Sequence, residues 1–197
     1  MILGFTGHRP NSLPGTYSER TYQALLDTAN FVISQYRPDT VVSGMALGWD
    51  TAVAECAINR CLKLVAAIPF RGQESRWTQT SQVKYLELLN RASYIEIVSD
   101  GNYTTQAMQL RNQWIVHQSD QLMALLNQGQ GGTRNCVNYA ISINRPTFNC
   151  WNTFMHFYNL TLKSNLFREG SPVISEGLAG GESRASPQLE GVDCCST

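Results

Sequence analysis

Two glycines four residues apart, Gly44 and Gly48 in Ser43-Gly-Met-Ala-Leu-Gly-Trp-Asp50, stand where an apolar run gives way to good helix formers. A residue without Cβ admits positive φ and lets a ligand oxygen approach main-chain N–H groups at the positive end of a helix dipole. Phosphate is the guest such a turn suits. Gly131 and Gly132, followed by Thr133 at the expected start of another helix, repeat the arrangement and add a hydroxyl. Both turns also fit a plainer use, a tight strand-to-helix connection with close packing. Asp50 carries the same duality. At a helix start it serves as a cap, the reading adopted here; a phosphate would repel its carboxylate, so a ligand contact would go to a ribose hydroxyl or a metal.

Other polar and aromatic residues lie in comparable positions. In Thr6-Gly7-His8-Arg9-Pro10, Arg9 can grip a phosphate bidentately and His8 can donate or accept near neutral pH; both also fit a solvated or turn-stabilising role. The stretch from Pro69 and Phe70 to Trp77 offers a carboxylate, Glu74, and in Trp77 either a stacking face or a core side chain. In the segment around Arg111 and Asn112, Leu110, Trp114 and Ile115 form the buried stripe, which directs Arg111 towards the rim. The expected ligand-facing set is therefore Thr6, Gly7, His8 and Arg9; Ser43, Gly44, Met45, Gly48 and Asp50; Pro69, Phe70 and Trp77; Arg111 and Asn112; Gly131, Gly132 and Thr133.

Apolar runs of strand length alternate with segments of helical period. Strands are expected at 2–6, 40–42, 62–68, 94–98, 122–126 and 146–148. The helices between them fall near 19–36, 51–61, 78–91, 105–119 and 133–143. Six strands joined by five helices imply an α/β fold, a doubly wound, mainly parallel sheet in a Rossmann-like three-layer sandwich, because each crossover must be right-handed and cover the sheet. Ligands of such sheets sit beyond the carboxyl ends of the strands. The loops after strands one, two, three and five all lie there, and two glycine cradles on one rim suit a nucleotide.

The chain has 197 residues, enough for one domain with a tail. Fifteen basic and fifteen acidic side chains give a formal net charge of zero, so no long-range field recruits nucleic acid or an anionic membrane. Charged residues are only 15% of the chain, which favours self-association. The N-terminus lacks a signal-peptide pattern and no apolar run could span a membrane, so a cytoplasmic protein is expected. A reducing surrounding argues against disulfides among the six cysteines, and the Cys56–Cys61 spacing has no second pair to complete a zinc site, so Cys56 and Cys61 are read as buried structural thiols and no metal and no cofactor are expected.

The segments Gly4-Phe-Thr-Gly-His-Arg-Pro10, 43–55, 68–77, 110–114 and 131–140 together resemble the YspA/YpsA-like (DUF1273-type) branch of the SLOG superfamily, which includes DprA and the LOG cytokinin-activating enzymes. The resemblance covers residues 1–152 and implies a Rossmann-like domain that binds nucleotides or nucleotide-derived ligands, in a superfamily with members that act as sensors. LOG-type phosphoribohydrolases carry a P-G-G-x-G-T-x-x-E motif whose Glu promotes N-glycosidic cleavage. Here Arg134, Asn135 and Cys136 follow Thr133, with no acid in the turn. Hydrolysis would have to borrow Glu55, Glu74 or Asp120, so binding, as a sensor or sequestering protein, ranks above an N-glycosidase. Single-stranded DNA binding, as in DprA, comes third because it calls for a basic surface.

Residues 153–167 continue an apolar cluster of Trp151, Phe154, Met155, Phe157, Tyr158, Leu160 and Leu162, which must pack on the domain or on a second copy in a homo-oligomer. Residues 168–197 are rich in Gly, Ser, Pro and Glu and read as a flexible tail ending near Cys194 and Cys195.

Overall fold

A computed structural model describes residues 1–15 and 17–169, with side chains as far as residue 162. The expectations for the tail and for Cys194 and Cys195 lie outside the described residues. Six strands, β1 (Ile2–Gly7), β2 (Thr40–Ser43), β3 (Lys63–Ile68), β4 (Tyr94–Ile97), β5 (Gln121–Leu125) and β6 (Thr147–Asn149), form one sheet. Its order is β4-β3-β2-β1-β5-β6 and every pairing is parallel. The helices are α1 (Glu19–Tyr36), α2 (Trp49–Asn59), α3 (Gln79–Asn90), α4 (Thr105–Gln118), α5 (Gly132–Ser142) and α6 (Trp151–Glu169). This is the doubly wound Rossmann-like α/β fold.

The strands show why the sheet is covered on both faces. In β5, Met123 and Leu125 join one core with Leu3 and Phe5 of β1, whereas Leu122 and Ala124 join the other, as strand alternation requires. The first core is closed by α1 and α2, through Leu25, Ala29, Val32 and the fully buried Trp49. The second is closed by Ile115 and Val116 of α4 and by Cys136, Val137 and Ala140 of α5. From β1 to β4 the chain steps outward in one direction. Then α4 carries it back across the sheet to β5, on the far side of β1, so the direction of winding reverses between β1 and β5.

The apolar cluster after β6 folds as α6, an element the strand–helix pattern did not extend to. It lies on α1, with Phe154 fully buried, the Phe31 and Phe157 rings 6.1 Å apart, and Arg20 over the Tyr158 ring at 5.9 Å. Burying a side chain such as Phe154 contributes about 1.5–3 kcal/mol, which fixes α6 to the domain itself. The thiols divide unevenly. Cys56, Cys136 and Cys150 are buried, and burial pushes their thiols up to about 12, 11 and 12 respectively; Cys61, expected to be buried, is exposed just after α2. Among the described residues no helix is long and apolar enough to cross a membrane.

Candidate functional site

Three helices begin at a hydroxyl. Ser18 caps α1, Thr78 caps α3 and Thr104 caps α4, each accepting a hydrogen bond from the N–H three residues on. The other two sheet-crossing helices begin at glycines with no capping side chain, Gly48 for α2 and Gly131 for α5. The first N–H groups of any helix have no intrahelical partner. What satisfies them differs completely between the two turns.

At α2 the protein fills its own turn. Gly48 has φ 96°, and a Cβ there would meet the His8 carbonyl at 2.9 Å, because the first loop crosses directly over it. Gly44 is buried and does not take positive φ as expected; that conformation falls on Met45, at φ 57°. The reason for a glycine at 44 is space. A Cβ would lie in the Arg111 guanidinium and 2.7 Å from Asp50 Oδ2. Ser43, also buried, donates to the Asp50 carbonyl at 2.8 Å and accepts from Met45 N–H at 3.2 Å. Asp50 does not cap α2 in the expected manner. It lies inside the first turn, where Oδ2 accepts from Ala46 N–H at 3.4 Å and from Arg111 Nη1 at 3.3 Å. Both partners of this ion pair are more than nine-tenths buried, and Asp50 Oδ1 and Arg111 Nε have no hydrogen-bond partner among the described residues. Burial pushes the Asp50 carboxyl up, while Arg111 and the Ala46 N–H oppose the shift.

At α5 the turn is open. Gly131 has φ 128°, and a Cβ built there meets nothing; one built on Gly132 touches only Asn112 Nδ2, at 4.0 Å. Gly131 C=O accepts the first helical bond, from Asn135 at 3.0 Å. Asn112 donates to the Gly132 carbonyl at 3.3 Å and so fixes the turn to α4. Gly131, Gly132 and Thr133 face a cleft of about 370 Å³, lined also by Thr6, Gly7, His8, Arg9, Asp50, Arg111 and Asn112. It sits where the sheet reverses, between the ends of β1 and β5, the place at which such folds hold ligands.

His8 fastens the two loops together. Its N–H donates to Leu125 C=O at 3.2 Å, Nε2 accepts from Asn127 N–H at 2.9 Å, and its ring meets Trp151 edge-on at 5.8 Å. Burial, aided by the nearby Arg134 charge, lowers its pKa, in keeping with an accepting nitrogen.

A wider cleft of about 830 Å³ adjoins the first and shares Arg9, Ala46, Tyr103 and Met108 with it. Phe70 and Trp77 line it; Pro69 is buried outside it. Trp77 packs against the core, 5.3 Å from the Tyr85 ring, and is also among the residues that line the cleft. Sequence reasoning missed Arg71, Arg76 and Tyr103. The Tyr103 loop follows β4 and is the fifth loop on the rim, signalled only by the Asp100-Gly101 turn and the Thr104 cap.

The three candidate carboxylates lie elsewhere. Glu55 accepts from Tyr22 at 2.6 Å and pairs with Lys84 at 3.0 Å, between α1 and α3. Asp120 accepts from Ile2 N–H, at the amino end of the sheet. Glu74 is in the loop beside the wide cleft but is not part of its lining. Among the described residues Asp50 is the only carboxylate that lines either cleft.

An all-parallel sheet reversing beside an open glycine turn defines a Rossmann-like protein with a carboxyl-edge cleft. The chain belongs to the YspA SLOG family, whose family model matches residues 4–160. It is 28% identical over 132 residues to the uncharacterized SPbeta prophage-derived protein YoqJ of Bacillus subtilis (strain 168), covering 59% of this chain and 77% of YoqJ. Two solved structures share the fold. DNA processing protein A (DprA) of Streptococcus pneumoniae superposes with a TM-score of 0.55 at 15% identity, over 86% of this chain and 56% of that one. Its Helicobacter pylori counterpart, solved for its single-stranded DNA binding mode, gives 0.55 at 16% identity, over 83% and 81%. The expectation against nucleic acid gains no support from these neighbours, and it rested on net charge alone. Locally the charge is uneven, with exposed Arg9, Arg71 and Arg76 along the clefts.

Proposed function

We propose that the protein binds a nucleotide or nucleotide-derived small molecule in the narrower cleft, as a sensor or sequestering protein in the cytoplasm. The phosphate would lie on the α5 N-terminus within reach of Arg9, and the base would turn towards Tyr103. One observation carries this reading: the uncapped start of α5 opens into a cleft at the reversal point of the sheet. Binding is favoured over N-glycosidic cleavage because, among the described residues, the one carboxylate in the lining, Asp50, is locked to Arg111. Self-association, suggested by the low charge density, belongs to the same proposal.

Calorimetric titration with AMP tests it. Saturable binding is expected, and Gly132→Val, whose Cβ would touch only Asn112 Nδ2 at 4.0 Å, should remove it while changing stability by less than about 1 kcal/mol. Unaltered binding by the variant would take the phosphate away from α5. Steady release of free base from AMP, abolished by Glu55→Gln or Glu74→Gln, would establish the glycosidase instead. Single-stranded DNA is the second reading, favoured by exposed arginines interleaved with Phe70, Trp77 and Tyr103. It predicts affinity that falls steeply with salt.

A further inference from the structure

We infer that the two clefts form one groove for a ligand with two phosphoryl groups, a dinucleotide, the wider cleft serving as the second nucleotide subsite. This rests on the nucleotide reading of the narrower cleft. Continuity is the first ground: Arg9, Ala46, Tyr103 and Met108 belong to both clefts, so a ligand passes from one to the other without leaving the groove.

Size is the second. Sites for a single small ligand span about 300–1,000 Å³. The narrower cleft, at about 370 Å³, already accommodates a nucleoside phosphate, which leaves the adjoining 830 Å³ without an occupant in a one-nucleotide account.

Chemistry is the third. Arg71 and Arg76 are exposed in the wide cleft and form no ion pair among the described residues, and no carboxylate lines that cleft to neutralise them. Beside them are rings. Phe70 and Tyr103 meet edge-on at 5.9 Å, and Trp77 completes the wall. Unpaired guanidinium groups next to aromatic faces match a second phosphate with its base. That second phosphate is the one that joins the two nucleosides, and Arg9, on the wall both clefts share, faces it and the phosphate on the α5 N-terminus. A longer strand is disfavoured because the zero net charge supplies no general cationic field beyond the groove.

The experiment compares AMP, 5′-phosphorylated linear diadenylate and a longer oligoadenylate by calorimetry, on wild type and on the double variant Arg71→Ala/Arg76→Ala. Thermal unfolding serves as the folding control, since both side chains are exposed. Diadenylate should bind at least about tenfold tighter than AMP, because linked subsites reinforce one another. The double variant should lose that increment while binding AMP as before. Equal affinity for AMP and diadenylate, or an increment that survives in the double variant, would overturn the inference. So would affinity that keeps rising with oligoadenylate length, the mark of a strand-binding surface. Diadenylate binding that depends on both arginines, with AMP not held at all, would support the double site while removing the one-nucleotide reading beneath it.

Discussion

The α2 and α5 turns look alike in sequence and have been put to opposite uses. At α2, the bare backbone makes room for the protein: Gly48 lets the His8 carbonyl lie on the turn, and Gly44 lets the Arg111 guanidinium reach Asp50. At α5, the space a Cβ would fill is open and faces the cleft. Glycine spacing reports that something approaches the backbone closely. Whether that something is the fold or a ligand depends on residues far away in the chain, here one 61 positions from Asp50.

Substitutions at the two turns should separate these uses. Gly44→Ala is expected to have the largest effect on stability. Its methyl displaces Arg111 and leaves Asp50 buried without its partner, a loss of about 3–5 kcal/mol by urea denaturation; an undisturbed midpoint would mean that the ion pair does not organise the α2 turn. Gly48→Ala, strained at φ 96° and pressed on the His8 carbonyl, should lose about 1–3 kcal/mol in the same assay. Gly132→Val should change stability by less than about 1 kcal/mol, the scale of a helix propensity difference, yet lose AMP binding. A destabilisation as great as that of Gly44→Ala would erase the contrast between the turns.

The smallest effect concerns pH. The His8 pKa is lowered from its ordinary 6.5 by burial and by Arg134, so the unfolded chain takes up this proton more readily than the folded one. The His8 contribution is therefore complete above about pH 6.5 and is lost as pH falls through that value towards the lower folded one. Thermal midpoints measured across this range should decline on acidification, and His8→Gln should flatten the decline. An identical slope in the variant would show that His8 is not what couples the β1 and β5 loops to pH.

Much of this architecture was legible in sequence. The limits of α1 coincide with expectation because Ser18 before it and Arg37-Pro38 after it are local signals, and the strand–helix alternation leads directly to the sheet. Helix α6 was not, since Phe157, Leu160 and Leu162 fall between and beyond the helical stripe of Trp151, Phe154, Met155 and Tyr158 and blur its period. In the site, Gly131, Gly132 and Thr133 stand out because adjacent glycines before a helix-starting Thr form a local signal. The Asp50–Arg111 pair does not, since it joins α2 to α4 across the sheet end. Tyr103 escaped for a related reason: its loop reads as an ordinary Asp-Gly turn until α4 carries the chain back past β1.

Backbone amide shifts during titration with inorganic phosphate and then AMP test the contrast most directly. The N–H signals of Gly132, Thr133 and Arg134 should move progressively to saturation while those of Gly44 and Gly48 stay fixed. Movement of the α2 amides, with those at the α5 start unchanged, would contradict the account.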